Sequence, residues 1–435
     1  MKVAIVGFGL EGKSALNYWV NLGADIIVCD QDLDKAAEIP AGILSQLGKG
    51  YLENLSRFDL IVRSAGVNPS VILAKNPGVK NKITSVMNEF LKVSPTKHVI
   101  GITGTKGKGT TSTLIANMLE TTGQKVFLGG NIGASPLEFL SNLTKNSYVV
   151  LEFSSFQLSD LNYCPAISIC LMVVPEHLNW HADMDDYVLA KANLFKHQNA
   201  NDIAIYYAQN DISKKIASSS PGHKIPFYGE PGAHIEENKI VIAGQIVCRT
   251  NDLKLLGEHN WQNACAAVTA AWQVNQNIKA MRSVLTTFQA LPHRLELIDK
   301  IKNVAYYNDS FASTPDAAIA ALHAIIGTKV MILGGFDRHL PIHHLATEIL
   351  NCQDDLRKVI IIGASADRLA KECDKIGFSN YLIDRAQTMS EIVAKANSLA
   401  VSGDSVVLSP GFASFDMFKN FEVRGEKFKE AVKRL

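Results

Sequence analysis

The sequence predicts an α/β protein of several domains, each built around a parallel sheet. Apolar, strand-like runs alternate with helical stretches along the whole chain, which is the pattern of βαβ units. The chain has 435 residues, more than one hydrophobic core usually supports, so two or three domains are expected. Many of the apolar runs end in a glycine or polar cluster, which is where open α/β sheets bind ligands.

The first α/β unit is predicted over residues 1–93, as a Rossmann-like domain. A change of composition at LKVSPTKH marks its end. Its elements are predicted in the order strand 2–7 (KVAIVG), helix 12–22, strand 25–30 (DIIVCD) and strand 59–66 (DLIVRSAG).

The second α/β unit is predicted over residues 94–290, again with a parallel sheet. It begins with the strand HVIGIT, a glycine loop and a helix from about Lys108 to Glu120. Further elements are predicted as strands 147–153 (SYVVLEF) and 167–174 (ISICLMVV), a β-rich patch at 225–256 and an alanine-rich helix at 260–274.

The third unit, residues 291–435, is predicted to be a second Rossmann-like domain. It starts near QALPHRLE and contains four strand-like runs, VAYYND, KVMILGG, KVIIIGA and SVVLSPG. Each run ends in a glycine or polar loop, as expected where strands lead to a binding edge.

Composition excludes several classes of protein. Hydrophobic residues make up 47% of the chain and charged residues 20%, and the net charge is +1, so neither disorder nor a nucleic-acid partner is indicated. The seven cysteines form no CxxC pair, which predicts reduced thiols in a cytoplasmic protein. The longest apolar run, residues 166–174, is too short to span a membrane, and the N-terminus lacks the apolar region of a signal peptide.

The N-terminal glycines form the pattern Gly7-x-Gly9-x-x-Gly12, which follows one strand, while Asp30 ends the next. This is the context of a dinucleotide fingerprint, in which a diphosphate lies at a helix N-terminus. The same pattern also occurs as a packing turn, and it suits other diphosphates, such as a UDP-sugar. It therefore predicts a nucleotide-like ligand without specifying NAD.

The stretch GITGTKGKGTTS, residues 101–112, is a stronger signal. Its four glycines let successive backbone N–H groups point at phosphate oxygens. Lys108 can reach the terminal phosphates, and Lys106 adds a second charge at the rim. A P-loop normally has Ser or Thr directly after the lysine, for magnesium, but here Gly109 follows.

Residues at neighbouring strand ends complete a candidate phosphate site. Glu152 closes the run YVVLE and suits magnesium. His177 in PEHLNWH is a further candidate ligand, with His181 as its rival, whereas Lys191 on a predicted helix would by default be a solvated lysine. Several other polar residues can cap helices, form surface ion pairs or bind a nucleotide: His259, Asn260, Asn263, His293, Arg294, Asp309, Ser310, Asp337 and Arg338.

Taken together and in order, these motifs resemble the Mur ligases over essentially the whole chain. The motifs are TGTKGK at 103–108, LEFSSFQL at 151–158, PEHLNWH at 175–181, AK at 190–191, GEHNWQN at 257–263, LPHRLE at 291–296, NDS at 308–310, LGGFDR at 333–338 and SPGFASFDMFKNFEVRGEKF at 409–428. Within the family, the SSFQL stretch and the C-terminal motif are most similar to the branch that adds D-glutamate.

The resemblance implies three domains: a Rossmann-like domain that binds the UDP-substrate (1–93), a P-loop-type central ATPase domain (94–290) and a Rossmann-like domain that binds the amino acid (291–435). It also implies an ATP-dependent, ADP-forming acid–amino-acid ligase of peptidoglycan precursor synthesis, and hence a role in cell-wall biogenesis, cell shape and division. The expected reaction joins D-glutamate to UDP-N-acetylmuramoyl-L-alanine through an acyl phosphate. ATP and two magnesium ions are the expected cofactors. The protein is expected to be a cytoplasmic monomer, with no nucleic-acid or membrane partner.

The resemblance also implies roles for individual residues. The catalytic residues would be Lys108, Glu152, His177 and Lys191, and the metal would be held by Thr110, Glu152, His177 and a carbamoylated Lys191. ATP would contact Gly104, Thr105, Lys106, Gly107, Lys108, Gly109, Thr110, Thr111, Asn260, Asn263, Arg294 and Asp309. The UDP-substrate would contact Gly9, Leu10, Asp30, Ser64, Ala65, Gly66, Asn131, Ser154 and Ser155. The incoming amino acid would contact Ser313, Arg338, Ser414, Phe415 and Phe421.

Several positions depart from the family pattern. Phe311 follows NDS where lysine is usual, and Arg338 stands where lysine is frequent. The acidic residue expected shortly after Arg338 is absent, and Pro341 lies nearby instead. A variant that adds L-glutamate or another amino acid is therefore an alternative. At the phosphate loop, Thr110 is predicted to make the contact that Gly109 cannot make.

Three other functions remain as alternatives. A folylpolyglutamate synthase also has glycine after the loop lysine, but it lacks the N-terminal Rossmann-like domain. An NAD-dependent oxidoreductase would use the N-terminal glycines and leave the second loop unexplained. A silent nucleotide-binding regulator would explain the hydroxyl missing at Gly109.

Overall fold

The computed structural model of the protein describes residues 1–131, 133–178 and 180–435. Within these ranges the chain forms two compact units. The first unit comprises Met1–Asp252 and Trp261–Thr286, and the second comprises Leu253–Asn260 and Thr287–Leu435.

The N-terminal part of the first unit is a five-stranded parallel sheet in the order β3-β2-β1-β4-β5. Its strands are β1 (Lys2–Val6), β2 (Asp25–Asp30), β3 (Leu44–Leu47), β4 (Leu60–Arg63) and β5 (Ile83–Ser85), and its helices are α1 (Leu10–Asn21), α2 (Pro69–Lys75) and α3 (Val86–Val93). The strand order reverses between β1 and β4, so the loops that follow these two strands meet at the binding edge.

The middle part of the first unit is a six-stranded parallel sheet in the order β11-β10-β9-β6-β8-β7. Its strands are β6 (Val99–Thr103), β7 (Val126–Gly130), β8 (Tyr148–Glu152), β9 (Ile167–Cys170), β10 (Ile203–Tyr207) and β11 (His223–Phe227). Because β6 lies between β9 and β8, the loop after β6 is flanked by the ends of both strands.

Helices and a small antiparallel sheet complete this part of the chain. The helices are α4 (Lys108–Glu120), α5 (Ser155–Leu158), α6 (Met184–Lys196), α7 (Asp211–Ala217), α8 (Glu258–Trp272) and α9 (Ile278–Thr287). The antiparallel strands are β12 (His234–Glu236), β13 (Lys239–Ile242) and β14 (Gln245–Arg249), in the region predicted to be β-rich.

The first two sheets share one hydrophobic core. A single cluster of buried side chains includes Val3 and Trp19 from the N-terminal sheet and its helix, and Phe139 and Leu151 from the middle part. Phe90 meets Phe139 edge-on, with 5.9 Å between ring centroids. This shared core explains why the two predicted domains form one compact unit.

Arg63 at the end of β4 reinforces the same junction. Its guanidinium is fully buried and pairs with the Asp160 carboxylate. It also donates to the Phe156 carbonyl and to the Ser159 hydroxyl, each at 2.8 Å. Several hydrogen bonds thus fix the N-terminal sheet to the segment that follows α5.

The second unit contains a six-stranded sheet in the order β15-β16-β20-β17-β18-β19, in which only the β15–β16 pair is antiparallel. Its strands are β15 (Glu296–Ile301), β16 (Val304–Asn308), β17 (Lys329–Gly334), β18 (Leu356–Ile362), β19 (Tyr381–Ile383) and β20 (Ser405–Leu408). Its helices are α10 (Pro315–Ala324), α11 (His343–Asn351), α12 (Ala366–Lys375), α13 (Met389–Leu399) and α14 (Phe421–Val432).

The predicted α/β class is confirmed, and two predicted strands are too long. The run 59–66 was expected to be one strand, but β4 spans only Leu60–Arg63. The run 167–174 was expected to be a single strand, but β9 ends at Cys170. Beyond that point the backbone bonds to the glycine loop instead of to a neighbouring strand: Thr105 N–H donates to the Met172 carbonyl, and Val174 N–H donates to the Thr105 hydroxyl. The domain limits at 93/94 and 290/291 stay predictions. Among the described residues, no helix has the length and apolar character needed to cross a bilayer.

Candidate active site

The glycine loop after β6 is shaped for close approach to a ligand. Gly104 has φ +148° and Gly107 has φ +86°, and a Cβ on Gly107 would lie 2.1 Å from Asn263 Oδ1. Helix α4 begins directly afterwards, so its unpaired N–H groups and the positive end of its dipole face the loop. The backbone therefore provides an anion site before any charged side chain is considered.

The two loop lysines have different partners. Lys108 Nζ lies over the loop and donates to the carbonyls of Gly104 and Thr105, at 3.2 and 3.1 Å. Lys106 Nζ forms an ion pair with Glu176 Oε1 at 2.6 Å. Burial alone would raise the pKa of Glu176, but the charge and hydrogen bond of Lys106, together with the charges of His177 and Lys108, outweigh burial and lower it. The rim charge expected from Lys106 is thus largely neutralised within the protein.

The hydroxyls of helix α4 are buried in its first turns. Thr111 Oγ1 lies 3.4 Å from Asn263 Oδ1, and Ser112 Oγ donates to the Gly109 carbonyl at 3.0 Å. Thr110 is also buried, one residue after Gly109 in the first turn. Because Thr111 is directed towards Asn263, Thr110 stays the candidate for the metal or phosphate contact.

Glu152 at the end of β8 is a buried carboxylate, only 2% exposed. Asn131 Nδ2 donates to its Oε1 at 2.6 Å, while Oε2 is a buried oxygen with no hydrogen-bond partner among the described residues. A buried charged oxygen left unpaired is costly, so it marks a position suited to a cation.

His177 lies in the turn after β9 with a left-handed backbone, φ +59°. Its Nε2 is 3.6 Å from Glu176 Oε2, and its ring meets Phe156 edge-on at 4.8 Å. Burial lowers the pKa of His177, although Glu176 acts in the opposite direction. A neutral imidazole is the form that can bind a metal.

Lys191 on α6 is not the solvated lysine that its sequence context alone suggests. It is 1% exposed, and its Nζ donates to the Gly104 carbonyl at 3.0 Å. The ammonium lies 4.5 Å from the centroid of the Tyr187 ring. Burial, assisted by the positive charge of Lys108, lowers the pKa of Lys191 to about 7.

The N-terminal glycine loop uses Asp30 to hold its own backbone. One Asp30 oxygen accepts from Phe8 N–H at 2.6 Å and the other accepts from Asp32 N–H at 2.9 Å. Both carboxylate oxygens of Asp30 therefore accept hydrogen bonds from the backbone, whereas an acid that binds a ribose needs an oxygen available to its hydroxyl. Gly9 caps α1, and Leu10 beside it is 84% exposed.

The loop after β4 is tied to the middle domain through Glu11. Ser64 Oγ donates to the Gly7 carbonyl at 2.6 Å. Glu11 accepts from Ala65 N–H and from Gln157 Nε2, both at 2.7 Å. Ser154 caps α5 in a capping box with Gln157. The residues predicted to bind UDP and those predicted to bind the muramoyl end thus lie on connected segments.

Ser155 Oγ lies 2.9 Å from His181 Nε2, and Trp180 Nε1 donates to the Gly66 carbonyl at 3.4 Å.

Within the second unit, Asp309 is a fully enclosed carboxyl group. It accepts from Ser409 Oγ at 2.7 Å and from Leu295 N–H at 3.1 Å. Burial raises the pKa of Asp309 to about 7, although these hydrogen bonds act against the shift.

Arg294 lies with its guanidinium carbon 3.7 Å from the centroid of the Phe311 ring. Asn260 Nδ2 donates to the Leu256 carbonyl at 2.7 Å.

Two residues predicted to meet the amino acid border a shallow depression in the same unit. Arg338 donates to the Ser313 carbonyl at 3.0 Å, and both residues lie at the depression together with Phe336 and Ala413. Asp337 forms a two-pronged ion pair with Arg368, which is one of the roles that the sequence left open for it.

The other predicted contacts lie on the same two loops. Phe415, which is 62% exposed, meets Phe336 edge-on, with 6.0 Å between centroids. Ser414 is buried. Phe421 meets Phe311 edge-on at 5.0 Å, so the side chain found in place of the usual lysine is packed between an aromatic ring and Arg294.

Sequence reasoning missed the buried arginine of this unit. Arg424 is 1% exposed. It donates to the Ser310 hydroxyl and carbonyl and to the carbonyls of Phe412 and Ala413, at 2.9–3.1 Å. It thereby joins the NDS and SPGFA loops. The arginine in the run FEVRGE was visible as part of a motif, but its partners are too distant in sequence to be inferred.

The fold and the loop together define a nucleotide-binding α/β protein with a phosphate site in its middle sheet. The Mur ligase middle domain matches residues 102–271, and the Mur ligase glutamate ligase domain matches residues 293–412. A UDP-N-acetylmuramoylalanine–D-glutamate ligase of Clostridium novyi is 38% identical, over 100% of this chain and 97% of its own length. The corresponding ligase of Acetivibrio thermocellus is 36% identical, over 99% and 96%. The chain therefore belongs to the Mur ligase family of ATP-dependent, ADP-forming ligases.

Solved structures agree on the fold. The Mur ligase MurC from Thermotoga maritima matches with a TM-score of 0.61 at 16% identity, over 100% of this chain and 99% of that one. A MurF ligase from the same organism, solved with ADP, matches with a TM-score of 0.61 at 16% identity, over 99% and 94%. Escherichia coli FolC matches with a TM-score of 0.57 at 15% identity, over 80% of this chain and 92% of that one. These likenesses concern the fold alone.

Proposed function

We propose that this ligase joins D-glutamate to UDP-N-acetylmuramoyl-L-alanine, with cleavage of ATP to ADP and phosphate. The reaction belongs to peptidoglycan precursor synthesis, and we place it in the cytoplasm and in a monomer. Relatives named for this reaction match the chain from end to end at 33–38% identity. The observation that carries the proposal is the position of the Lys108 loop after β6, beside the end of β8 where Glu152 lies. Glu152 is buried, and its Oε2 accepts no hydrogen bond from the described residues.

The glycine loop would hold the ATP phosphates. Its N–H groups and the N-terminus of α4 face the anion, and Lys108 would leave its loop carbonyls to follow the phosphoryl group that is transferred. Asn263 lies against Gly107 and would support the loop from its other side. We assign Arg294, Asp309 and Asn260 to the remainder of the nucleotide.

Magnesium is assigned to Glu152, His177, Thr110 and Lys191 in its carbamoylated form. The residues fit the ion because Glu152 offers a buried oxygen to which no residue in the described ranges donates a hydrogen bond. In the described part of the chain, no group of three unmodified His, Cys, Asp or Glu side chains is arranged to hold a metal. That finding agrees with ions that share their ligands with ATP phosphates and a modified lysine. When bound, magnesium would neutralise charge on the phosphate oxygens.

Lys191 has the properties that carbamoylation requires. Carbon dioxide reacts with the neutral amine: a bond forms between Nζ and carbon, and a proton is released. The enclosure of Lys191 beside the Gly104 carbonyl supports this assignment, and its pKa of about 7 makes the neutral amine abundant near neutrality. The carbamate would supply a further carboxylate beside Glu152.

The chemistry then proceeds by positioning rather than through a covalent protein intermediate. The substrate carboxylate attacks the γ-phosphorus of ATP, an acyl phosphate forms and ADP leaves. The amino group of glutamate attacks the acyl carbon, and the tetrahedral intermediate releases phosphate to give the amide. Asn131, Ser154 and Ser155, at the ends of strands beside the loop, would hold the muramoyl end in line.

The amino acid would bind beside Arg338 in the second unit. Arg338 is the cation that can meet a side-chain carboxylate, with Ser313, Ser414 and Phe421 nearby in the same unit. Phe311 packs beneath Arg294 where the family usually has lysine. A ligase for L-glutamate or another amino acid is therefore the second candidate, and the names of the relatives favour D-glutamate.

One assay separates these functions. ADP release is measured with UDP-N-acetylmuramoyl-L-alanine and D-glutamate, and compared with L-glutamate, with a folate acceptor and with no acceptor. We expect turnover only with the muramoyl substrate and D-glutamate. Lys108→Ala should abolish turnover, whereas the exposed Lys145→Ala should not. Absence of ADP with every muramoyl mixture would refute the proposal and favour a silent nucleotide-binding protein.

A further inference from the structure

His181 is a buried imidazole with both ring nitrogens engaged, and the proposed reaction assigns it no role. It is 2% exposed. Its Nδ1 lies 2.9 Å from Asp186 Oδ2, and its Nε2 lies 2.9 Å from Ser155 Oγ. The three side chains form a Ser–His–Asp relay that connects three separate segments of the middle domain.

The chemistry of the partners fixes the direction of the hydrogen bonds. An ionised carboxylate only accepts, so Asp186 places the proton of a neutral ring on Nδ1. Nε2 is then an acceptor, and the Ser155 hydroxyl donates to it. The remaining lone pairs of Ser155 Oγ are left to accept from another donor. Asp186 is itself held, because its Oδ2 also accepts from Ala182 N–H at 3.2 Å and its own N–H donates to Asp183 Oδ1 at 2.8 Å.

Each member of the relay lies close in sequence to a residue assigned to the metal. Ser155 begins α5, three residues after Glu152. The His181 N–H donates to the His177 carbonyl at 3.0 Å. Asp186 is in the first turn of α6, the helix that carries Lys191.

Aromatic packing extends the same connection. The His181 ring meets the Tyr187 ring edge-on at 5.2 Å. The Tyr187 hydroxyl bonds to Thr105 Oγ1 of the glycine loop at 3.0 Å, and its ring lies beneath the Lys191 ammonium. Phe156 and Trp180 pack on the imidazole from the side of the His177 turn.

We propose that His181 is a positioning residue for phosphoryl transfer: anchored by Asp186, it orients the Ser155 hydroxyl and holds the segments of Glu152, His177 and Lys191 in register. This inference rests on the proposed metal site. Displacement of a catalytic group by about 1 Å can lower turnover by about 100-fold, so loss of the relay should reduce catalysis more than it reduces folding.

The test uses Asp186→Ala, Asp186→Asn and His181→Gln in the full-length enzyme. Asp186 is half exposed, so its alanine variant should fold. We expect Asp186→Ala to lower kcat by about 10- to 100-fold, with little change in the KM for D-glutamate. Asp186→Asn keeps an oxygen that can accept from Nδ1, and it should restore kcat to within about threefold of wild type. His223→Gln, on the exposed edge strand β11, is the matched control.

A second readout does not depend on activity. Binding of Mn²⁺, measured by electron paramagnetic resonance in the presence of ADP, should be weakened by about tenfold in Asp186→Ala and His181→Gln. Ser155→Ala combined with His181→Gln should be no more impaired in kcat than the worse single variant, because the two residues act as one unit. Rescue by asparagine would distinguish an orienting hydrogen bond from simple packing.

The outcomes separate this inference from the function on which it rests. Glu152→Gln is the reference for the metal site and should abolish both Mn²⁺ binding and turnover. If it does so while Asp186→Ala and His181→Gln retain wild-type kcat and Mn²⁺ affinity, the positioning role is wrong and the metal site stands. If Glu152→Gln binds Mn²⁺ like the wild type, the metal site fails, and the inference fails with it.

Discussion

The enclosure of Lys191 has a measurable cost in stability. Its side chain is 1% exposed, and burial lowers its pKa from the ordinary 10.5 to about 7. At about 1.4 kcal/mol per pH unit, this difference corresponds to about 5 kcal/mol by which the charged ammonium is disfavoured in the folded state. Replacing Lys191 with methionine removes the charge while retaining a chain of similar length.

The sign of the effect follows from linkage. A lysine whose folded-state pKa is depressed contributes stability above its unfolded pKa, and that contribution is lost as the pH falls towards the folded pKa. The wild type should therefore become progressively less stable relative to Lys191→Met as the pH falls from about 10.5 to about 7. Between about pH 9.5 and about pH 7 the difference in unfolding free energy should shift by about 3 kcal/mol in favour of the variant.

The assay is denaturant unfolding of both proteins across this pH range, in buffers freed of carbon dioxide. Subtracting the unfolding free energy of the wild type from that of the variant cancels the contributions of groups that titrate equally in both proteins. Adding bicarbonate should shrink the pH dependence, because a carbamoylated lysine no longer titrates as an amine. A difference that stays constant with pH in both buffers would refute the reasoning about the buried charge.

Three further predictions concern other parts of the fold. Replacing Arg63 with methionine removes a fully buried guanidinium and leaves its partner Asp160, whose side chain is 19% exposed, without an ion pair. The change should cost about 2–4 kcal/mol of unfolding free energy, whereas the same change at Arg385, in an exposed pair, should cost under about 1 kcal/mol. Equal losses would contradict the burial of Arg63. Burial raises the pKa of Asp309 to about 7, so its stabilising neutral form is lost as the pH rises through that value. The unfolding free energy of Asp309→Asn, measured from denaturant midpoints, should rise relative to that of the wild type by about 2–3 kcal/mol between about pH 5 and about pH 8. A difference in unfolding free energy that does not change with pH would count against this prediction. Gly107→Ala should lower kcat by about 100-fold or more, because the new Cβ would overlap the side-chain amide of Asn263 beside the loop. Gly123 has nearly the same φ but faces open space, so Gly123→Ala should leave kcat unchanged. Similar kcat values for the two variants would show that the loop tolerates a side chain.

Much of the fold could be predicted because its signals are local. The helix expected from about Lys108 to Glu120 spans those residues in the structure, since a glycine loop precedes it and its apolar residues recur at helical spacing, at positions 114, 115, 118 and 119. The strand ending at Glu152 was equally clear. The run 167–174 misled the prediction because apolar character shows that a segment is buried without showing which neighbour its backbone bonds to.

The pairing of charges could not be read from the sequence. Arg63 and its partner Asp160 are 97 residues apart, and Lys106 and Glu176 are 70 apart. Only the order of strands in the folded sheets brings such groups together. For the same reason Lys191 had the pattern of a surface lysine, since its burial depends on the Gly104 and Tyr187 contacts and not on its immediate neighbours.

The electrostatics around the glycine loop imply that metal and carbon dioxide bind cooperatively. Glu152 favours the charged form of Lys191, and Lys108 disfavours it, so the three groups lie within electrostatic reach of one another. A carbamate would place a second negative charge near Glu152, and a divalent cation would relieve their repulsion. By reciprocity, bicarbonate should tighten Mn²⁺ binding by the same factor by which Mn²⁺ stabilises the carbamate. Electron paramagnetic resonance with and without bicarbonate measures the first effect, and ¹³C exchange of the carbamate measures the second. Lys191→Met should abolish the bicarbonate effect on Mn²⁺ affinity, and a bicarbonate effect that survives in this variant would mean that Lys191 is not the residue that couples the two ligands.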